Sequence, residues 1–194
     1  MARPKEFDRD EAVRRAMGVF WEKGYEATST DDLLRAMGIG RQSMYDTFGD
    51  KHRLYLEALQ RYQAESAASL MERLRAEDSP LAAVERVLMA IASESAAERA
   101  RGCMGVNAIA ELAQKDAEVA SVSKSAAMTC EAAFERVVQQ AKRRGEVPPS
   151  VDARQAGRFL LNALQGLRVT AKAGAPPAAL REVATFTVAS LRAR

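Results

Sequence analysis

The chain is poor in the residues that build disulfide frameworks, metal sites and catalytic centres. Its 194 residues include two cysteines, Cys103 and Cys130, and one histidine, His52. Two thiols this far apart make neither a disulfide scaffold nor a CxxC metal site, and in a reducing compartment both rest as thiols. Around a lone histidine no multi-histidine metal site and no Ser-His-Asp arrangement can be assembled. No metal, cofactor or enzymatic activity is therefore expected. Aromatics make up 6% of the residues, β-branched residues are sparse, and none alternate with polar ones over a strand's length, which argues against a sheet. Although 47% of the residues are apolar, no uncharged run approaches the roughly 18 to 20 residues needed to cross a bilayer. The opening Met1-Ala2-Arg3-Pro4-Lys5-Glu6-Phe7 lacks the apolar stretch and cleavage site of a secretory signal, so a cytoplasmic protein without membrane attachment is expected.

A strong charge of one sign is also missing. The formal charge is +3, and residues 1–55 hold ten Lys and Arg against ten Asp and Glu. Any case for nucleic-acid binding must rest on where charges fall, because the net charge does not make it.

What the sequence does have is helical periodicity nearly throughout, carried by Ala, Leu, Glu, Arg and Met. The first helix starts near Asp8 or Asp10, puts Val13, Met17, Phe20 and Trp21 on one stripe, and ends at Gly24. Thr28-Ser29-Thr30 offers capping hydroxyls for a short helix with Leu33, Leu34 and Met37 inside, stopping at Gly38. After the turn Gly38-Ile39-Gly40, a second short helix runs from about Arg41 to Phe48, and a long one from Lys51 towards Leu74. Asp78-Ser79-Pro80 restarts a helix that reaches about Ala97. Gly102 opens the next, ending around Gln114, and another extends past Lys115-Asp116 to Arg144. Asp152 caps a helix through Lys172, and the last spans roughly Ala178 to Leu191. The expectation is an all-α fold of about nine helices: an N-terminal helix-turn-helix headpiece over 1–55 and a helical domain over 56–194.

Two short helices around a glycine turn form a helix-turn-helix, whose second helix can enter the major groove of DNA. Here that second helix carries Arg41, Gln42, Ser43, Tyr45, Asp46 and Thr47 around two apolar anchors, Met44 and Phe48. Such a surface contributes little to burial, whereas Arg and Gln can pair with guanine and adenine edges. Lys51 follows at the start of the next helix, where a cation opposes the helix dipole and a phosphate accounts for it.

Phe-x3-Gly-Tyr at 20 to 25, Thr28-Ser29-Thr30, Ala36-x-Gly38, Ser43-x-Tyr45-x2-Phe48 and Lys51-x2-Leu54 follow one another from Phe20 to Leu54. With these motifs the stretch resembles the N-terminal domain of TetR-family transcriptional repressors. The resemblance implies a homodimer whose headpieces read a palindromic double-stranded DNA operator and are released by a small-molecule effector. By matching positions, it implies base or backbone contacts for Arg41, Gln42 and Ser43, and phosphate contacts for Thr30, Tyr45 and Lys51. His52 is a further candidate for a backbone contact. The family often has His between the Tyr and the Phe, where this chain has Asp46-Thr47. Asp46 either accepts from a cytosine amino group or points away from the DNA.

Farther along, Cys103, Asn107 and Glu111 share a helix face at i, i+4 and i+8 and, with Gln114, are candidates to line an effector cavity. A solvated stripe explains them equally well. Cys103 lies at a helix start near Arg99 and Arg101, so an alternative is a thiol-based redox or electrophile sensor of the same fold; packing is the rival reading. In the last two helices Leu160, Leu164, Leu167, Val183, Phe186 and Thr187 are candidates for a dimer interface, with core packing within one chain as the rival.

Overall fold

The computed structural model describes residues 7–192 of the chain. Among them are ten α-helices, α1 (Arg9–Lys23), α2 (Thr30–Met37), α3 (Arg41–Phe48), α4 (Lys51–Arg75), α5 (Pro80–Ser93), α6 (Ala96–Arg101), α7 (Met104–Leu112), α8 (Ala117–Arg143), α9 (Ala153–Lys172) and α10 (Pro177–Ala189), and no strand. The all-α expectation is met. The tenth helix is the six-residue α6. It arises because the chain leaves helical geometry at Glu94 and is recapped at once by Ser95, whose hydroxyl accepts from the Glu98 amide while the Glu98 carboxylate accepts from the Ser95 amide.

The helix ends follow local chemistry. The Asp8 carboxylate accepts from the amides of Asp10 and Glu11 and starts α1. Ser29 and Asp32 form a reciprocal capping box at the start of α2. Gly38 closes α2 in the left-handed region at φ 69°, a conformation that costs a Cβ-bearing residue more than it costs glycine.

The helices form two compact units. One comprises the described residues up to Gln63 together with Cys103–Ser123, so α7 and the first turns of α8 join the headpiece helices. Its core holds Phe20, Leu33, Met44, Leu54, Tyr55 and Leu59 beside Met104, Ala108 and Leu112 of α7. The other unit takes Ala64–Gly102 and the chain from Lys124 onwards. Its core gathers Leu88 and Ile91 of α5, Phe134 and Val138 of α8, Leu160 of α9 and Leu180 of α10. Helices α8 and α9 approach closely at Gly157, where a Cβ would lie 2.9 Å from the Glu131 carbonyl oxygen.

Candidate nucleic-acid interface

Helix α3 is anchored by two side chains, Met44, fully buried, and Phe48, nearly so. Their four-residue spacing puts both on one face and turns the rest outwards. Arg41, Gln42, Ser43, Tyr45 and Asp46 are all exposed, and Tyr45 remains 41% accessible despite its aromatic ring. The start of α3 is also open: Gly40 supplies no side-chain cap and the first turn has no acidic residue. The amides there and the positive end of the helix dipole are thus left for an anion.

Two carboxylates organise this surface. Arg41 donates through Nη2 to Asp31 Oδ1 of α2 at 2.6 Å. Gln42 donates through Nε2 to Asp46 Oδ1, one turn along α3, at 2.8 Å. Asp46 therefore turns towards its own helix.

The flanking candidates sit on the adjoining helix starts. Thr30 is the first residue of α2 and half-buried. The hydroxyl before it that caps the helix belongs to Ser29, whereas Thr28 is buried and donates back to the Gly24 carbonyl at 2.5 Å. Lys51 opens α4 with Nζ 4.3 Å from the centroid of the Tyr25 ring, a cation–π contact that holds the ammonium at the headpiece surface. His52 lies one residue on, and its ring is engaged inside the same unit: Nε2 is 2.6 Å from Asp116 Oδ2 and Nδ1 is 3.8 Å from Glu118 Oε2. Burial pushes the Asp116 carboxyl up. The amides of Val119 and Glu118 and the His52 ring more than offset that and hold it below the usual carboxylate range.

Helix α7 meets the headpiece through Glu111. Its carboxylate accepts from the amides of Tyr25 at 3.1 Å and Glu26 at 2.8 Å, satisfying donors exposed where α1 ends. Gly24 there has φ 82°, and a Cβ on it would lie 2.9 Å from the Glu111 carboxylate. Of the residues expected to line an effector cavity, Glu111 is thus bonded to the headpiece backbone. The Cys103 thiol, half-buried, accepts from the Tyr62 hydroxyl at 3.4 Å, and Asn107 is half-buried one turn on. A cavity of about 410 Å³ lies in the other unit, walled by residues that include Leu74, Arg75, Gln140, Arg143 and Arg144. None of the expected ligand residues lines it.

The candidate interface residues divide by face. Leu160, Leu167 and Thr187 are buried in the chain's own core, and Leu164 packs against it; the Thr187 hydroxyl donates to the Val183 carbonyl at 2.7 Å. Val183 and Phe186 are 49% and 77% exposed. Phe159 and Val169 of α9 are likewise 44% and 54% exposed, so α9 and α10 both carry apolar side chains that the chain's own core leaves uncovered. Helical periodicity identifies both helices as apolar but does not say which stripe a single chain covers for itself.

Sequence reasoning gave Asp31, Tyr25 and Asp116 no role at this surface. Each acts through a partner on another helix, and no local pattern marks such a pairing. Spacing within α3 was enough to place Arg41, Gln42, Ser43 and Tyr45 on the exposed face, because that exposure follows from the two anchors.

Family comparisons agree with this arrangement along most of the chain. Residues 13–58 match the model described as bacterial regulatory proteins, tetR family. Residues 80–187 match tetracyclin repressor-like, C-terminal domain. The chain is 33% identical to the HTH-type transcriptional repressor ComR of Escherichia coli K12, over 96% of this chain and 90% of that protein. It is 36% identical to the HTH-type transcriptional regulator YezE of Bacillus subtilis 168, over 89% and 90% of the two chains. Among solved structures, the regulator CifR, as a cysteine mutant in complex with a 26-base-pair operator duplex, superposes with a TM-score of 0.83 at 28% identity, covering 98% of this chain and all of that one.

Proposed function

This chain belongs to the TetR family of bacterial regulatory proteins, and on that footing we propose that it is a homodimeric transcriptional repressor that binds a palindromic operator and is released by a small ligand. The observation that carries the proposal is α3: a helix held by Met44 and Phe48 whose remaining side chains form a polar, outward surface with no role in the core. Arg41, Gln42 and Ser43 read bases or the nearby backbone, while Thr30, Tyr45 and Lys51 fix the headpiece on phosphates. His52, whose Nε2 is bonded to Asp116, is a further candidate for a backbone contact beside Lys51. Residues 1–55 are the DNA-reading part in this account and 56–194 the effector-binding and dimerisation part. Its place of work is the cytoplasm, on the chromosome, and its role is regulatory, not enzymatic.

Support for repression comes from ComR, a repressor by description, and from CifR, seen on operator DNA. Support for ligand control comes from α7. That helix is preceded by Cys103 at its N-cap and carries Asn107 and Glu111, the proposed effector residues, and it shares a core with the recognition helix. A ligand that draws the Glu111 carboxylate away frees the amides of Tyr25 and Glu26, and Tyr25 is the ring under Lys51. The effector then acts by favouring a state whose headpieces no longer match successive major grooves. Sensing through the Cys103 thiol is the lesser reading, and unchanged release of a Cys103→Ser variant by an electrophile removes it.

The test starts from genomic fragments retained by the purified protein. Arg41→Ala combined with Gln42→Ala is expected to lose preference for those fragments over random DNA; preference intact in the double variant refutes the assignment of α3.

A further inference from the structure

Asp46 is the acidic residue of α3 on the face that is to meet a polyanion, and it has no part in the core. Its contact explains its presence. Gln42 gives Asp46 one of its two amide hydrogens, at 2.8 Å. A carboxylate only accepts, so an amide turned the other way sets its Oε1 against a negative oxygen. The side chain is thereby locked in one of two orientations that are otherwise nearly equivalent in shape. With the hydrogen anti to Oε1 as the one given to Asp46, Gln42 keeps its other N–H and Oε1 side by side. That pair complements adenine, whose major-groove edge offers N7 as acceptor and N6 as donor. It mismatches guanine, which offers two acceptors. Arg41 is braced in a parallel way by Asp31 of α2, at 2.6 Å, and retains its other guanidinium hydrogens for a base edge.

We propose that Asp46 is a specificity-positioning residue: by fixing the Gln42 amide it commits this recognition helix to an adenine at one base pair of each half-site. The carboxylate also repels phosphate, which weakens binding to every duplex and so favours discrimination over affinity. The inference rests on the reading of α3 as the recognition helix, and the experiment separates the two.

Duplexes selected from a random pool by the full-length protein define the preferred half-site. Affinities are then measured for the selected duplex and for versions with each base pair replaced. Asp46→Asn keeps the shape but can donate as well as accept, so it releases the lock. It is expected to lower the preference at one adenine by about fivefold or more, the scale of one base contact, while tightening binding to unrelated DNA. Asp46→Glu, still acceptor-only and four residues from Gln42, is expected to keep that preference within about twofold. If Asp46→Asn tightens binding everywhere and leaves the preference unchanged, Asp46 is a repulsive charge and nothing more; if Asp46→Glu loses the preference as fully as Asn, the lock is wrong. Gln42→Ala distinguishes the levels. Loss of the same preference there, with Asp46→Asn silent, overturns this inference alone, whereas a preference that survives both Gln42→Ala and the Arg41→Ala, Gln42→Ala double variant overturns the recognition helix itself.

Discussion

At the scale of single residues, side chains that face solvent within one short helix are legible from sequence, and those that act on distant backbone are not. Gln42 and Tyr45 follow from the positions of Met44 and Phe48. Glu111 does not, because the amides it satisfies belong to Tyr25 and Glu26, 86 and 85 residues earlier. Periodicity assigned it a helix face and left the partner open. Its replacement makes a sharp prediction. Glu111→Ala removes the acceptor from two amides in a bend shaped by Gly24, and a charge-assisted pair of this kind is worth roughly 1 to 3 kcal/mol. The variant is expected to unfold at lower urea concentration by that amount, while Glu111→Gln, which keeps one acceptor oxygen, falls between it and wild type. Equal stability of all three proteins shows that the contact does not matter for folding.

At the scale of elements, nearly every helix boundary was readable because caps are local. Asp8, Ser79 and Asp152 begin helices, and Gly24 and Gly38 end them, as residue types with those conformational preferences do. The break at Glu94 was missed although Ser95-x-x-Glu98 carries the capping-box pattern, because the helical periodicity runs on through it. Pro or Gly is absent there, and the carbonyl and carboxylate of Glu94 are held by Arg99 and by Arg168 of α9. Helix α2 offers a test through acidity. Bonds from Lys23 and from the Ser29 hydroxyl and amide hold the Asp32 carboxyl well below its ordinary 3.8. Depression in the folded state means that the pairing stabilises the protein above the unfolded value and is lost as pH falls through the folded one. Asp32→Asn is therefore expected to melt lower than wild type near neutral pH, with the gap narrowing as pH falls below 3.8. A gap that stays constant across that acid range contradicts the assignment.

At the scale of the whole molecule, class and headpiece were legible and the grouping of helices was not. An all-α chain with a neutral headpiece follows from composition and spacing. That α7 joins the headpiece core follows from packing of Met104, Ala108 and Leu112 beside Phe20 and Tyr55, which amphipathic pattern alone does not specify. The uncovered apolar side chains of α9 and α10 carry the proposal of a dimer. Phe186, 77% exposed, can be replaced without disturbing its own chain's core, so Phe186→Arg is expected to give a folded monomer by sedimentation, with operator binding weakened; an unchanged dimer places the interface elsewhere. The central claim is a division of labour around α3, phosphates held by Lys51 and its neighbours, bases read by Gln42 and its neighbours. It is tested most directly by operator affinity measured across a salt series for wild type, Lys51→Ala and Gln42→Ala. Lys51→Ala is expected to weaken all duplexes alike and to lower the slope of log affinity against log salt by about one, whereas Gln42→Ala is expected to leave the slope and relax sequence preference. A Gln42→Ala protein with undiminished sequence preference, or a Lys51→Ala protein with an unchanged slope, contradicts it.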